Sequence, residues 1–172
     1  MTDRFDDRRD AGRRLAGRLS HLAGAAPLVL ALPRGGVPVA AEIARSLRAP
    51  LELLLVRKIG APGYPELAIG AIVDGDPPQT VLDPDLVARV GASREYLQAE
   101  TRRQLAELER RRGAYGVGKA ALAVRDRTVI VVDDGVATGL TMQAALQALS
   151  RAGARRRVAA VPVAAPDAGA RL

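Results

Sequence analysis

Residues 129–142 read Val129-Ile130-Val131-Val132-Asp133-Asp134-Gly135-Val136-Ala137-Thr138-Gly139-Leu140-Thr141-Met142. The four β-branched residues at the start predict a short parallel strand that is buried on both faces. Two carboxylates and a loop of small residues follow, and the apolar spacing from Leu140 onward predicts an amphipathic helix. This order of strand, loop and helix indicates an open α/β sheet.

The loop between this strand and helix has the features of an anion site. In open α/β sheets ligands bind beyond the carboxyl ends of the strands, and a helix start offers free N–H groups to an anion. A phosphate therefore fits the loop. Asp133 and Asp134 can accept hydrogen bonds from vicinal ribose hydroxyls or hold a hydrated Mg²⁺ ion. One short segment thus suits both ends of a ribose 5-phosphate.

A second strand, loop and helix unit is predicted near the beginning of the chain. Residues 27–32 are apolar, the run Pro33-Arg34-Gly35-Gly36 interrupts them, and helical spacing resumes over residues 37–47. The two glycines let the backbone approach a ligand, and the guanidinium of Arg34 can chelate phosphate oxygens. This loop is a second candidate for binding a phosphorylated ligand.

A third apolar run, residues 51–56, predicts another strand and ends in two basic residues, Arg57 and Lys58. Residues 59–67 then show no periodicity and contain four Gly or Pro residues, which predicts a loop. Further along, we expect a hairpin of residues 68–73 and 79–82, a long helix from Ser93 to about residue 112, and a strand over residues 158–163.

Composition narrows the class of protein. With 172 residues the chain fits one domain with a sizeable core. The sequence contains no Cys, which excludes disulfides, zinc–thiolate sites and thiol nucleophiles and agrees with a reducing compartment. No apolar run reaches transmembrane length, and residues 1–10 are charged rather than signal-like. We therefore expect a cytoplasmic protein without a membrane segment.

The net charge of +7 comes mainly from arginine, since the only lysines are Lys58 and Lys119. A basic surface suits either nucleic acid or a polyanionic small molecule such as a pyrophosphate ester. Base stacking requires aromatic residues interleaved with basic ones, and the four aromatics are not arranged in this way. The composition therefore favours a small-molecule ligand over nucleic acid.

The order of apolar strand, two acids, variable residues, Thr-Gly and a hydroxyl residue resembles the motif that binds 5-phosphoribosyl 1-pyrophosphate (PRPP) in type I phosphoribosyltransferases. Residues 4–12, 32–37 and 56–63, taken together with this motif, resemble one bacterial subgroup of uncharacterised members of that family. The resemblance implies a Rossmann-type parallel sheet flanked by helices, in a single domain of residues 1–172. It also implies a last strand and a hood over the base, which are missing or truncated in this sequence.

The resemblance also implies roles for individual residues. The catalytic residues would be Asp133, Asp134 and Lys58. The 5-phosphate would be bound by Ala137, Thr138, Gly139, Leu140 and Thr141. The pyrophosphate would be bound by Arg34, Gly35, Gly36, Arg57 and Lys58. Mg²⁺ would arrive with PRPP and have no direct protein ligand, although water molecules would link it to Asp133 and Asp134. A lid-like loop of about residues 58–68 would close over the site and exclude water.

The implied activity is transfer of the 5-phosphoribosyl group from PRPP to a nitrogenous base, with release of pyrophosphate. The family's purine-salvage members carry an acid at the place of Ala137, and a methyl group cannot assist proton removal, so a 6-oxopurine acceptor is disfavoured. The alternative is a non-catalytic protein that senses PRPP or a nucleotide on the same scaffold. A homodimer is among the assemblies that the resemblance implies.

Overall fold

The computed structural model describes residues 4–116, 124–166 and 168, and the structural statements below concern these residues. Its helices and strands follow the chain in the order α1 (Arg8–Leu19), a 3₁₀ helix (Ser20–Ala25), β1 (Leu28–Ala31), α2 (Gly36–Leu47), β2 (Leu51–Leu53), β3 (Val56–Ala61), β4 (Tyr64–Val73), β5 (Gln79–Leu82), α3 (Pro84–Arg89), α4 (Arg94–Ala114), β6 (Thr128–Val132), α5 (Leu140–Arg151) and β7 (Arg156–Ala160).

The main sheet is parallel and has the strand order β2-β1-β6-β7. Its two central strands, β1 and β6, are buried along their whole length. Alternate side chains of β1 face opposite layers, because Leu28 and Leu30 pack with α5 whereas Val29 and Ala31 pack with α1 and α2. Burial on both faces explains the continuous β-branched run of β6, and the predicted α/β sheet flanked by helices is confirmed.

A second sheet, with the strand order β3-β4-β5, is antiparallel. Its β4 and β5 confirm the predicted hairpin, and α4 covers it through Leu97 and Leu105, which pack against Ile59 and Ile69. Side chains of this sheet, including Val73 and Val81, also enter the core beneath β6. The two sheets therefore share one apolar core.

The loop predicted over residues 59–67 from the lack of periodicity is wrong, because β3 continues to Ala61 and β4 begins at Tyr64. Gly60 is required at a close approach of the two strands, since a Cβ atom there would lie 2.6 Å from the Pro65 carbonyl oxygen. The pairing register shifts on both sides of Gly60, and Gly63 has a positive φ of 72° at the turn. Gly and Pro thus shape a hairpin here rather than interrupt a strand.

Side-chain caps begin α1 and the predicted long helix α4. Asp7 caps α1 by accepting a hydrogen bond from the Asp10 N–H at 2.7 Å, and Ser93 caps α4 by accepting from the Tyr96 N–H at 3.1 Å. Within the described ranges, every helix is too short or too polar to cross a bilayer.

The last strand, β7, begins two residues earlier and ends three residues earlier than the sequence predicts. It ends before Pro162, which has no N–H for the ladder. The chain after β7 then returns to the loop that follows β6. The Val136 N–H donates to the Val163 carbonyl at 3.0 Å, and the Ala165 N–H donates to the Val136 carbonyl at 2.9 Å. The residues that follow β7 therefore brace the predicted phosphate loop.

Candidate functional site

The loops after β1 and β6 meet at the carboxyl edge of the main sheet. Ala31 and Val132 are partners in the parallel register, so both strands end at the same level. A Cβ atom at Gly36 would lie 2.5 Å from the Val132 carbonyl oxygen, and one at Gly35 would lie 2.2 Å from Oδ2 of Asp134. Two predicted site loops are therefore in direct contact, and that contact requires glycine at both positions.

A cavity of about 190 Å³ lies beside this contact. Its walls come from the start of α5, the preceding loop, β3 and the end of β6, through Lys58, Asp133, Gly135, Val136, Ala137, Thr138, Gly139, Thr141 and Met142. Four of the five residues predicted to bind the 5-phosphate line it, and Leu140 does not. Because α5 begins at this wall, its unpaired N–H groups and positive dipole end favour an anion in the cavity.

Asp133 is a half-buried carboxyl at the edge of this cavity. Burial raises the pKa of Asp133 to about 6, and the neighbouring charge of Asp134 acts in the same direction. A hydrogen bond of 2.8 Å from the Asp134 N–H to Oδ1 of Asp133, together with the charge of Lys58, limits this rise. Asp133 is therefore mostly ionised at neutral pH and can accept hydrogen bonds from hydroxyl groups.

Asp134 has a partner that the sequence analysis did not assign to the site. Nε of Arg8 donates a hydrogen bond of 2.8 Å to Oδ2 of Asp134, and Nη2 of Arg8 lies 2.7 Å from the same oxygen as an ion pair. Arg8 is the first residue of α1, so this contact joins the beginning of the chain to the end of β6. No local signal marks it, because the two residues are 126 positions apart.

Lys58 and Arg57 point to opposite sides of β3, as neighbours on a strand must. Lys58 lines the cavity, whereas Nε of Arg57 donates to Oε1 of Gln104 on α4 at 3.0 Å. Burial, followed by the nearby charge of Arg111, lowers the pKa of Arg57. The structure therefore does not bring Arg57 to the cavity, and of these two neighbours only Lys58 keeps a predicted role in pyrophosphate binding.

Arg34 lies on the exposed surface of the loop that contacts Asp134. Its side chain makes no hydrogen bond or ion pair to the part of the chain that the structure describes. The Pro33–Arg34 peptide bond is cis, and α2 begins directly after this loop. Arg34 directly precedes Gly35, which contacts Asp134, but Arg34 is not among the residues that line the cavity.

The residues present suit a magnesium ion that arrives with its ligand. In the described ranges, no group of three or more His, Asp or Glu side chains is arranged to hold a metal ion directly. Asp133 and Asp134 offer adjacent carboxylate oxygens, which are the hard donors that accept hydrogen bonds from the water molecules around Mg²⁺. This donor set fits water-mediated contact better than a direct metal centre.

A larger cavity, about 520 Å³ in volume, lies at the other end of the main sheet. It is bounded by residues that precede β6 and by the last turn of α5, with Asp74, Gln79, Arg125 and Arg151 among its walls. None of the predicted site residues lines it. The candidate site is the smaller cavity, since the two sheet-edge loops meet beside it and Asp133 lines it.

A parallel α/β sheet with a helix-start anion loop beside two carboxylates is typical of proteins that bind phosphate esters of sugars or nucleotides. Residues 2–171 match the family described as phosphoribosyl transferase domain. The chain belongs to this family, and the family and fold predicted from the sequence are confirmed.

Two curated relatives come from Mycobacterium tuberculosis and carry the names "Putative phosphoribosyl transferase Rv0571c" and "Putative phosphoribosyl transferase MT0597". Each is 48% identical to this chain over 168 residues. The matched region covers 98% of this chain and 38% of each relative, so the chain spans little more than a third of their length.

Solved structures agree on the fold. The crystal structure of TT1426 from Thermus thermophilus is 50% identical, has a TM-score of 0.82, and is matched over 98% of this chain and 79% of that chain. A hypoxanthine phosphoribosyltransferase from Staphylococcus aureus has a TM-score of 0.54 at 9% identity, covering 94% of this chain and 74% of that one. At that identity the second likeness supports the fold alone.

Proposed function

We propose that the protein binds PRPP with Mg²⁺ and transfers its 5-phosphoribosyl group to a nitrogenous base, releasing pyrophosphate. The observation that carries this proposal is the cavity in which Lys58, Asp133 and the start of α5 meet beside the Gly35-Gly36 contact. Membership of the phosphoribosyl transferase domain family supports it. The same proposal places the protein in the cytoplasm, and a homodimer stays a prediction.

In this reaction the bond from C1 of the ribose to the pyrophosphate oxygen breaks, and its electron pair leaves with pyrophosphate. A base nitrogen forms the new bond to C1 and loses its proton. Positive charge develops on the ribose ring in between, and the carboxylates of Asp133 and Asp134 stabilise it while accepting hydrogen bonds from the two hydroxyls. The rate gain comes from positioning and electrostatics.

The leaving group needs positive charge, and the site supplies it from two elements. Lys58 lies in the cavity wall and Arg34 on the adjoining loop, so both suit the oxygens of pyrophosphate. Mg²⁺ bound with PRPP would add further charge neutralisation. The N–H groups at the start of α5, with Thr138 and Thr141, would hold the 5-phosphate.

Residue 137, where a proton acceptor would assist the incoming base, is an alanine. Ala137 contributes a methyl group to the cavity lining and cannot take a proton from an incoming base. We therefore propose an acceptor other than a 6-oxopurine, and one whose nitrogen is reactive without help from residue 137.

The test is to incubate the protein with PRPP, Mg²⁺ and a panel of purine, pyrimidine and other heterocyclic bases, and to follow pyrophosphate release. Release that depends on one base supports the transferase. PRPP binding without base-dependent release supports the alternative, a regulatory sensor of PRPP or a nucleotide, which the apolar Ala137 position also fits. Absence of PRPP binding contradicts both.

A further inference from the structure

The contact between Arg8 and Asp134 adds a first-helix residue to the proposed site. The hydrogen bond and the ion pair from Arg8 both reach Oδ2 of Asp134, while the other oxygen, Oδ1, accepts no hydrogen bond from the described part of the chain. The side chains are 61% and 30% exposed, and an ion pair this open contributes little to the stability of the fold. We therefore expect the ion pair to affect the orientation of the Asp134 carboxylate.

The backbone of the loop after β1 covers one face of the Asp134 carboxylate. A Cβ atom at Gly35 would lie 2.2 Å from Oδ2 and 2.5 Å from Oδ1, so the loop after β1 lies directly against the carboxylate. The backbone N–H of Asp134 is held by Oδ1 of Asp133 at 2.8 Å. With the backbone fixed and one face covered by Gly35, Arg8 sets the remaining rotation of the carboxylate.

Arg8 itself stands on a firmly packed element. Asp7 caps α1, and Ala11 and Ala16 are buried against the rest of the core. At Gly12 the helix lies so close to α2 that a Cβ atom would lie 2.7 Å from the Val39 carbonyl oxygen. The backbone of Arg8 is therefore fixed relative to α2 and to the loop that precedes α2.

We propose that Arg8 is a positioning residue of the PRPP site, which holds Asp134 through Oδ2 and leaves Oδ1 directed to accept a ribose hydroxyl. This inference rests on the proposed function. It makes α1 part of the ribose-binding site, and it identifies the vicinal diol as the part of the ligand that Arg8 affects. Arg8 does not touch the reacting atoms and acts only through Asp134.

The test compares Arg8→Ala with the unaltered protein by calorimetry, using three probes: PRPP with Mg²⁺, ribose 5-phosphate, and inorganic pyrophosphate with Mg²⁺. We expect PRPP and ribose 5-phosphate to bind about tenfold more weakly, because a correctly directed hydrogen bond to a charged group is lost. Pyrophosphate, which has no diol, should keep its affinity. Arg8→Lys should restore most of the loss, since an ammonium group can donate to Oδ2.

Arg13→Ala is the matched control, because Arg13 lies on the same helix, is 58% exposed and pairs with Asp10 at 3.7 Å. It should leave the affinity for all three probes unchanged. In an Asp134→Asn background, Arg8→Ala should cause no further loss for ribose 5-phosphate, because the two residues act as a unit. Thermal unfolding of each variant checks that the fold is intact.

Equal weakening of all three probes by Arg8→Ala would show a general attraction of anions and overturn the inference. So would an unchanged affinity for ribose 5-phosphate, or additive losses in the double variant. If the unaltered protein binds PRPP and only these results go against expectation, the proposed function stands without the role of Arg8. If the unaltered protein binds none of the probes, both proposals fail.

Discussion

Two neighbouring carboxyl groups, Asp133 and Asp134, have different surroundings although they are adjacent in the chain. Asp133 is half-buried near Lys58, and its pKa is raised to about 6. Asp134 faces Arg8 on a different element. Each carboxyl thus has its own cation on a different element of the fold, Lys58 on β3 and Arg8 on α1.

The raised pKa of Asp133 predicts how stability depends on pH. The folded chain binds this proton more tightly than the unfolded chain, whose carboxyl has an ordinary pKa of 3.8. The stabilising effect is complete below about pH 4 and is lost as the pH rises through about 6. Asp133→Asn removes the ionisation, so we expect a Tm a few degrees higher than that of the unaltered protein at pH 8 and a similar Tm at pH 4.

Circular dichroism melting at the two pH values measures this effect. Asp126→Asn serves as the control, because Asp126 is exposed and has a positive φ of 58°, which asparagine also adopts readily. A lower Tm for Asp133→Asn at pH 8 would contradict the burial of an ionised carboxyl at this position.

A second prediction at the scale of residues concerns the ligand. Changing both Asp133 and Asp134 to Asn keeps the shape of the side chains but removes both negative charges. We expect PRPP binding to fall below detection in calorimetry, since neutral amides are weaker acceptors for the hydroxyls and do not stabilise the cationic ring. An unchanged affinity in this double variant would refute the assignment of the acids.

At the scale of elements, the β3–β4 hairpin decides which basic residue reaches the site. The strand period of two places Lys58 toward the cavity and Arg57 toward Gln104 of α4. On that side Oε1 of Glu100 in turn accepts a hydrogen bond of 2.7 Å from Gln104. One face of β3 therefore contributes to the candidate site, and the other contributes to packing.

This division predicts opposite outcomes for two neighbouring substitutions. Lys58→Gln should weaken the binding of pyrophosphate with Mg²⁺ by roughly tenfold, because a charge-assisted hydrogen bond is lost. Arg57→Gln should leave that affinity within about twofold and lower the Tm instead, since its contact with α4 is lost. Calorimetry and thermal melting separate the two effects, and a larger affinity loss for Arg57→Gln would reverse the assignment.

The elements that the sequence predicts well have local causes. The β-branched run of β6 and the cap Ser93 lie within or beside the segments that they define, and their positions agree with the structure. The sequence does not reveal the β3–β4 hairpin, because the need for Gly60 comes from Pro65 on the partner strand, which a periodicity pattern does not contain. Arg8 escapes prediction for the same reason, as its partner is distant in sequence.

At the scale of the whole molecule, the two sheets are joined by one core rather than by a linker. Val73 and Val81 of the second sheet belong to the same buried cluster as Val129 and Val131 of β6. Met142 lies in that cluster and also lines the cavity. We therefore expect changes in packing between the sheets to alter the shape of the cavity at the candidate site.

This shared core predicts a single unfolding transition. The hydroxyl of Tyr96 donates to the Gly60 carbonyl at 2.8 Å, so tyrosine fluorescence reports on the second sheet. Far-ultraviolet circular dichroism reports on the whole chain. We expect the two melting curves to coincide, and Val131→Ala to shift both to lower temperature by the same amount. Separate transitions would show that the sheets unfold independently.

The strand order of the main sheet has a consequence for the timing of biosynthesis. β1 emerges early from the ribosome, yet one of its two neighbours is β6, which is made only after both the second sheet and α4. During synthesis one edge of β1 stays unpaired until β6 has been made, and such long-range pairing is slow. The two loops of the candidate site therefore come together late in synthesis, after the residues of β6 and α5 have left the exit tunnel.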